Sequence, residues 1–446
     1  MSDHDDHTLP PWSRSDRRIP RGVVRPLQEF LATATSSALL LFAAAAFALV
    51  WANLGDSYEA FWTTPLVVRV GDVTIGTDLR FWLNDGLMTL FFLVVGIEIK
   101  RELTVGELRR PRAAALPALA AVGGMVAPAL LFLAVVRGGD GSHGWGIPMA
   151  TDIALALGAL ALAASRAPSS LKPLLLTLAI VDDIGAILVI AVFYSHGIEV
   201  PGLLVAVAIV AVILVLERGH VRFLPVYVAL AVALWYATYR SGIHPTIAGV
   251  VLGVLIPARP FQRPAAVSEE ARRIADETDD HPQPPDADAG SWLRLAWLSR
   301  EAVSPMARVE HLLWPWTSFL VVPLFALANA GVPLTRAALT AAASSAVAWG
   351  IVVGLVVGKP LGIWLAARAA TATGLGEAPS DVGPRDLLGL GATAGIGFTV
   401  ALFIAELAYE GRPDLVDEAV TAILVGSVVA GVLGQVVLRG RRAPAA

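Results

Sequence analysis

Two adjacent carboxylates, Asp182 and Asp183, stand in the middle of the apolar run LLLTLAIVDDIGAILVIAVFY, residues 174 to 194. If the run crosses a bilayer, both acids lie near its midplane, where an ionisable group is costly and marks a functional site by default. Thr151 and Asp152 follow a Gly- and Pro-interrupted stretch in GSHGWGIPMATDIALALGAL, and Lys359 sits midway along IVVGLVVGKPLGIWLAA. Carboxylates, a hydroxyl and the carbonyls freed by an interrupted helix form an oxygen donor set suited to a hard cation. There is no His/Cys ligand set for a transition metal. Carboxylates also take protons: burial favours the neutral acid and a nearby cation the ionised one, so protons and cations compete for the same oxygens. With that site open to one side at a time, competition gives exchange.

Each group has a simpler reading. Asp152 can serve as the N-cap of the helix segment after it. Lys359 can be neutral, snorkelling or paired, but its mid-span position makes snorkelling a long reach. Neighbouring helix residues point about 100° apart, so Asp182 and Asp183 cannot both face Lys359. One can pair with it while the other faces a cavity, and a purely structural salt bridge needs only one acid.

The elements that must position these groups are membrane spans. Hydrophobic residues make up 56% of the chain and charged ones 16%, with a mean hydropathy of +0.67, which places it among integral membrane proteins. Cysteine is absent, excluding disulfides and thiolate sites. No nucleic-acid patch is present. Residues 1–34 read as a disordered cytoplasmic tail rich in arginine. SSALLLFAAAAFALVWANL then begins an all-α series of twelve spans, although a signal peptide is the competing reading of that run. The others lie near 84–99, 113–136, 144–165, 173–194, 199–217, 223–240, 243–257, 311–331, 346–367, 386–408 and 417–438. Several approach the ~20 residues a crossing needs. Residues 63–81 alternate about Gly71-Asp72 and predict an extracytoplasmic β-hairpin, with an ordinary loop as the alternative. Alternate connections concentrate Lys and Arg, as in Lys100, Arg101, Arg109, Arg110 and Arg112. This predicts that both termini, including the tail 441–446, are cytoplasmic. Residues 258–303 then form a cytoplasmic polar loop, read as a solvated linker. Gly389, Gly391, Gly395 and Gly397 cluster in the eleventh run. Interruptions in spans 4 and 11 predict inverted repeats crossing at a midplane site, whereas close glycine packing is the rival account.

At these residues the chain resembles the bacterial NhaA sodium/proton antiporters. The resemblance covers roughly residues 35–440. It rests on WLNDGLMTLFFLVVGIEIKREL, PMATDIALALGAL, LAIVDDIGAILVIAVFYS, SGIHPTIAGVVLG, PLFALANAGV, VGKPLGI and GIGFTVALFIAELA. It implies a secondary transporter of the bacterial inner membrane, not an enzyme, exporting Na+ and Li+ against protons by alternating access, electrogenic and pH-regulated. No cofactor is implied; the partners are the ions, membrane lipid and a second copy joined through the 63–81 hairpin. Asp183 becomes the principal sodium and proton ligand, with Asp152 and Thr151, and Asp182 the partner of Lys359 in proton coupling. Asp152 and Lys359 offset the facing helix-end charges. Glu98 matches an acid at the cytoplasmic funnel, against the alternative of an interfacial acid paired with Lys100 or Arg101. His244, Glu310 and His311 match positions tied to pH response, while a histidine at a span end can also be structural. The long N-terminal tail and the enlarged 258–303 segment depart from the family pattern. Two rivals are an intramembrane aspartyl protease, which has no use for Lys359, and a sodium-coupled solute symporter, whose ion sites would be built largely from neutral side chains.

Overall fold

An apolar segment in hydrocarbon must satisfy its backbone internally, so helices are the expected elements wherever the long runs occur. The computed structural model describes residues 34–440 apart from 72, 164–166, 196, 220, 222 and 281–288. The 1–34 tail, except Ala34, and the 441–446 tail lie outside the described residues. In chain order the main helices are α1 (Ala34–Ala52), α2 (Leu79–Thr104), α3 (Pro111–Val136), α4 (Ile153–Leu162), α5 (Leu171–Phe193), α6 (Val200–Arg218), α7 (Leu224–Arg240) and α8 (Thr246–Leu255). A polar segment carries α9 (Pro264–Asp280) and α10 (Ala289–Glu301). Then come α11 (Pro305–Asn329), α12 (Ala346–Ala372), α13 (Pro384–Ala394), α14 (Phe398–Ala408) and α15 (Pro413–Arg439).

Among the described residues, seven helices are long and apolar enough to cross a membrane, or nine when each of two bent pairs counts as one span. The bent pairs are the interrupted runs expected from the sequence. A ten-residue 3₁₀ helix, Asp140–Met149, meets α4 at 48°, and α13 meets α14 at 52°. Two further apolar helices among the described residues are shorter, Ser36–Ala52 within α1 and the ten residues of α8, and α7 has 17 residues. The sequence reading expects twelve crossings; among the described residues seven to nine helices meet the length and composition of a span.

Helix α3 packs along α12, and α2 along α8. Gly391 lies where α13 passes α12: a Cβ there would stand 2.7 Å from the Pro360 Cα. The glycine cluster therefore divides between the two accounts, with Gly391 serving close packing and Gly395 and Gly397 forming the break. Three helices contain a π turn, and one of these, Gly354–Gly358, immediately precedes Lys359. Such insertions often sit at functional positions.

The hairpin is present. Strands Val68–Val70 and Val73–Ile75 pair antiparallel in the register Val68↔Ile75, Arg69↔Thr74 and Val70↔Val73. Gly71 occupies φ 60° at its turn, the left-handed region that a tight hairpin turn demands. The polar segment departs from the linker reading, since much of it is helical. Its apolar residues are too sparse to signal a helix by periodicity, yet Val267 and Ile274, seven residues apart on α9, are both buried.

Candidate functional site

The two breaks touch. Ala150, Thr151 and Asp152 run extended between the 3₁₀ arm and α4, and Gly395, Ile396 and Gly397 separate α13 from α14. The Asp152 amide donates to the Ile396 carbonyl at 2.6 Å. A Cβ on Gly397 would lie 3.0 Å from the Ala150 carbonyl oxygen, so a side chain there would crowd the crossing.

This geometry places two helix starts and two helix ends around one point. Asp152 caps both starts. Its Oδ1 accepts from the Leu155 amide at 3.0 Å, and its Oδ2 accepts from the Thr399 amide at 3.2 Å and the Thr399 hydroxyl at 2.7 Å. Thus Asp152 is the N-cap of α4, as its simpler reading has it, and also holds the first turn of α14. An anion between two helix N-termini complements their partial positive charge. The ends are served by other groups: the Lys359 ammonium donates to the Met149 carbonyl, and the Thr151 hydroxyl lies 3.0 Å from the Ala394 carbonyl.

Asp182 joins this network from α5. Its Oδ2 is 2.5 Å from the Lys359 Nζ and 2.5 Å from the Thr151 hydroxyl, and neither Asp182 nor Lys359 has exposed side-chain surface. The Thr151 hydroxyl has one proton and two acceptors within reach, Asp182 and Ala394, so it can satisfy only one at a time. Asp182 Oδ1 is buried without a hydrogen-bond partner.

Asp183 points elsewhere. Buried at 5% exposure, it forms no hydrogen bond or ion pair among the described residues and lines a narrow apolar crevice with Phe91, Phe92, Val95, Ala186, Ile187 and Val400. The two acids of the doublet therefore have different surroundings. Among the described residues no three acidic or histidine side chains converge closely enough to hold a metal ion. Thr151 and Asp152 are engaged with other protein groups, while Asp183 is open.

The remaining candidates are dispersed. Glu98, on α2, stands within electrostatic range of both Asp183 and Glu310. Among the described residues it forms no ion pair, and the Arg101 guanidinium goes to Glu310. His311, next to Glu310, is exposed. His244 lies far along the chain beside Asp85: Nδ1 and Oδ1 are 3.2 Å apart but not aligned for a hydrogen bond. Its ring packs on Phe403 at 5.7 Å between centroids.

Sequence reasoning missed Thr399, Asp85 and the Glu310 partnership of Arg101. For Thr399 a signal existed, since it is the second residue of α14 after the Gly395–Gly397 interruption, much as Asp152 adjoins the first one.

Comparison with known proteins gives the relationship. Residues 28–438 match the family described as Na+/H+ antiporter 1. The Na(+)/H(+) antiporter NhaA of Anaeromyxobacter sp. (strain Fw109-5) is 47% identical over 94% of this chain and 92% of its own. The Na(+)/H(+) antiporter NhaA 2 of Sorangium cellulosum (strain So ce56) is 46% identical over 98% of this chain and 96% of its own. The protein of the same name from Myxococcus xanthus (strain DK1622) is 46% identical over 96% and 93%. With the match running through both interrupted helices and the Asp182-Asp183 doublet, the chain belongs to the Na+/H+ antiporter 1 family.

Proposed function

We propose that this multi-pass membrane protein exchanges Na+, and also Li+, for protons, with Asp183 as the group that carries the cargo. The observation that carries the reading is the contrast among the three buried aspartates at and beside the crossing, Asp152, Asp182 and Asp183. Asp152 is bonded by two helix starts and Asp182 by Lys359 and Thr151, but Asp183 has no hydrogen-bond or ion-pair partner among the described residues. A buried carboxylate left open is one that a cation or a proton must satisfy. Loading Asp183 with one excludes the other, and that competition is the coupling.

A route to the site is supported by the register of two helices. Phe91, Val95, Glu98 and Glu102 form one stripe of α2, with Val105 just past its end, and Pro173, Leu176, Ile180, Asp183 and Ile187 form one of α5, both at helical spacing. At one end of this seam a cavity of about 590 Å³ is lined by Glu102, Val105, Pro173 and Leu176, and at the other lies the Asp183 crevice. Glu98 stands between them on its stripe, in place to relay or gate an ion. Alternation then consists of closing this seam and opening the far side, around the crossing of the two bent helices.

On this reading the chain makes twelve crossings of a bacterial inner membrane in inverted repeats, with both termini cytoplasmic by the loop charges. Exchange is electrogenic and pH-regulated, with Glu98, His244, Glu310 and His311 as the titrating set, and the working unit is a homodimer joined through the hairpin. The membrane-embedded doublet and Lys359 favour proton exchange over solute symport. The test is sodium-dependent dissipation of ΔpH in everted vesicles. Asp183→Asn should reduce it to background while the protein remains folded and inserted. Exchange near the native rate in that variant removes Asp183 from the site.

A further inference from the structure

We infer that α10 is an in-plane anchor that lies in the headgroup region of the same membrane the chain spans and favours anionic lipid. Along α10 the side chains of Trp292, Leu293, Ala296 and Trp297 are exposed, with Trp292 at 47%, Leu293 at 71% and Trp297 at 56%. These positions recur at i, i+1, i+4 and i+5, which gathers them on one side of the helix. The opposite side, with Leu295 and Leu298, is partly buried, and α10 packs against α9. Two tryptophans on the outer side of a soluble surface helix are hard to explain; at a bilayer surface they are the expected residues.

The charge agrees. The charged groups of α10 are Arg294, Arg300 and Glu301, and the acid is buried whereas both arginines are exposed. Among the described residues the other acids of this segment sit on α9, where Glu270 accepts from Arg273 at 2.8 Å and lies 3.5 Å from Arg294. The Arg273 guanidinium holds the Glu270 carboxyl below the usual carboxylate range. An exposed stripe of Trp, Leu and Arg is what an interfacial helix presents to a leaflet.

The Glu301 carbonyl accepts from the Phe261 and Gln262 amides, each at 3.1 Å, and the Met306 amide donates to the Pro257 carbonyl at 3.2 Å. These bonds pin the end of α10 to the short connection after α8 and to the first turn of α11. The outward apolar surface then continues through Val303, 46% exposed, to Leu312 at 64% and Trp316 at 59% on α11, a helix that is itself a span candidate. The stripe of α10 thus runs into a lipid-facing surface. This inference rests on the membrane reading but not on the ion carried or on Asp183.

The chain contains no cysteine, so Ala296→Cys gives a single site for an environment-sensitive nitrobenzoxadiazole label, with Ser268→Cys on the exposed side of α9 as reference. In full-length protein reconstituted into vesicles, the label at 296 should emit to the blue of the label at 268. It should also be quenched severalfold more strongly by nitroxide-bearing lipid than by aqueous iodide. Adding phosphatidylglycerol to phosphatidylcholine should increase that protection, and Arg300→Gln should reverse it by about fivefold in the partition ratio. Equal emission and equal iodide access at 268 and 296 in every lipid overturns the anchor. Protection that disappears when protein is diluted in lipid assigns the stripe to a second copy instead, and no response to phosphatidylglycerol removes the preference for anionic lipid.

Discussion

Lys359 and Asp182 meet at 2.5 Å with no exposed side-chain surface on either. A buried pair of this kind adds little net stability, but removing one member strands the other charge and costs about 3–5 kcal/mol. Lys359→Ala should therefore lower the unfolding midpoint of the purified protein sharply, and adding Asp182→Asn should restore much of the loss. A single variant as stable as the native protein would show that the pair is not a buried ion pair. Lys359→Ala should also change the voltage dependence of exchange, a readout that packing alone does not move. Thr151 shares the Asp182 oxygen, so loss of the ammonium leaves the hydroxyl as the remaining donor there.

At the level of elements, the hairpin has too few residues to stand alone in water. Near it Leu66, Val67 and Val68 are 44%, 49% and 42% exposed, an apolar edge of the kind proteins pair or cover. Replacing residues 66–75 by a short Gly-Ser loop should convert the proposed dimer to a monomer in dilute detergent while leaving exchange measurable at saturating sodium. A dimer that persists unchanged places the interface elsewhere. The hairpin and both broken helices were legible in the sequence because glycine and proline declare backbone conformation directly, as Gly71, Pro148 and Gly397 do. Thr399 was marked only by its place beside the second break, since a threonine in an apolar helix ordinarily bonds its own preceding turn, and only the approach of the other break brings Asp152 to it. Helices α9 and α10 were hidden for a different reason. Their apolar residues mark surfaces set by a neighbouring helix and a leaflet, and the acidic and Pro-rich composition around them masks that pattern. The doublet was the strongest local signal, yet it showed only that the acids differ; which of them meets Lys359 depends on the placement of α12.

Across the whole molecule the two halves of the chain are tied on the hairpin side. Tyr58 donates its hydroxyl to the Leu327 carbonyl at 2.9 Å and accepts from the Gly331 amide at 3.2 Å, while Asn53 bonds the Val332 carbonyl and the Leu334 amide. Burial pushes the Tyr58 phenol from its ordinary 10.0 up to about 12, against the opposing pull of Arg80. A raised folded-state value means that the contribution is intact below about pH 10 and is lost as pH climbs toward 12. Thermal unfolding across that window should therefore fall more steeply in the native protein than in Tyr58→Phe. Equal slopes would mean that the phenol is open to water.

Asp152 reaches from one half of the chain to the other, and in the exchange proposed above its double duty would set a ceiling on how tightly a cation drawing on its oxygens could be held. An N-cap is worth about 1 kcal/mol, and this carboxylate serves the starts of both α4 and α14. A cation that draws those oxygens away forfeits both caps, about 2 kcal/mol, which discounts its apparent affinity by roughly 30-fold. Weak holding is the property that lets an exchanger let go.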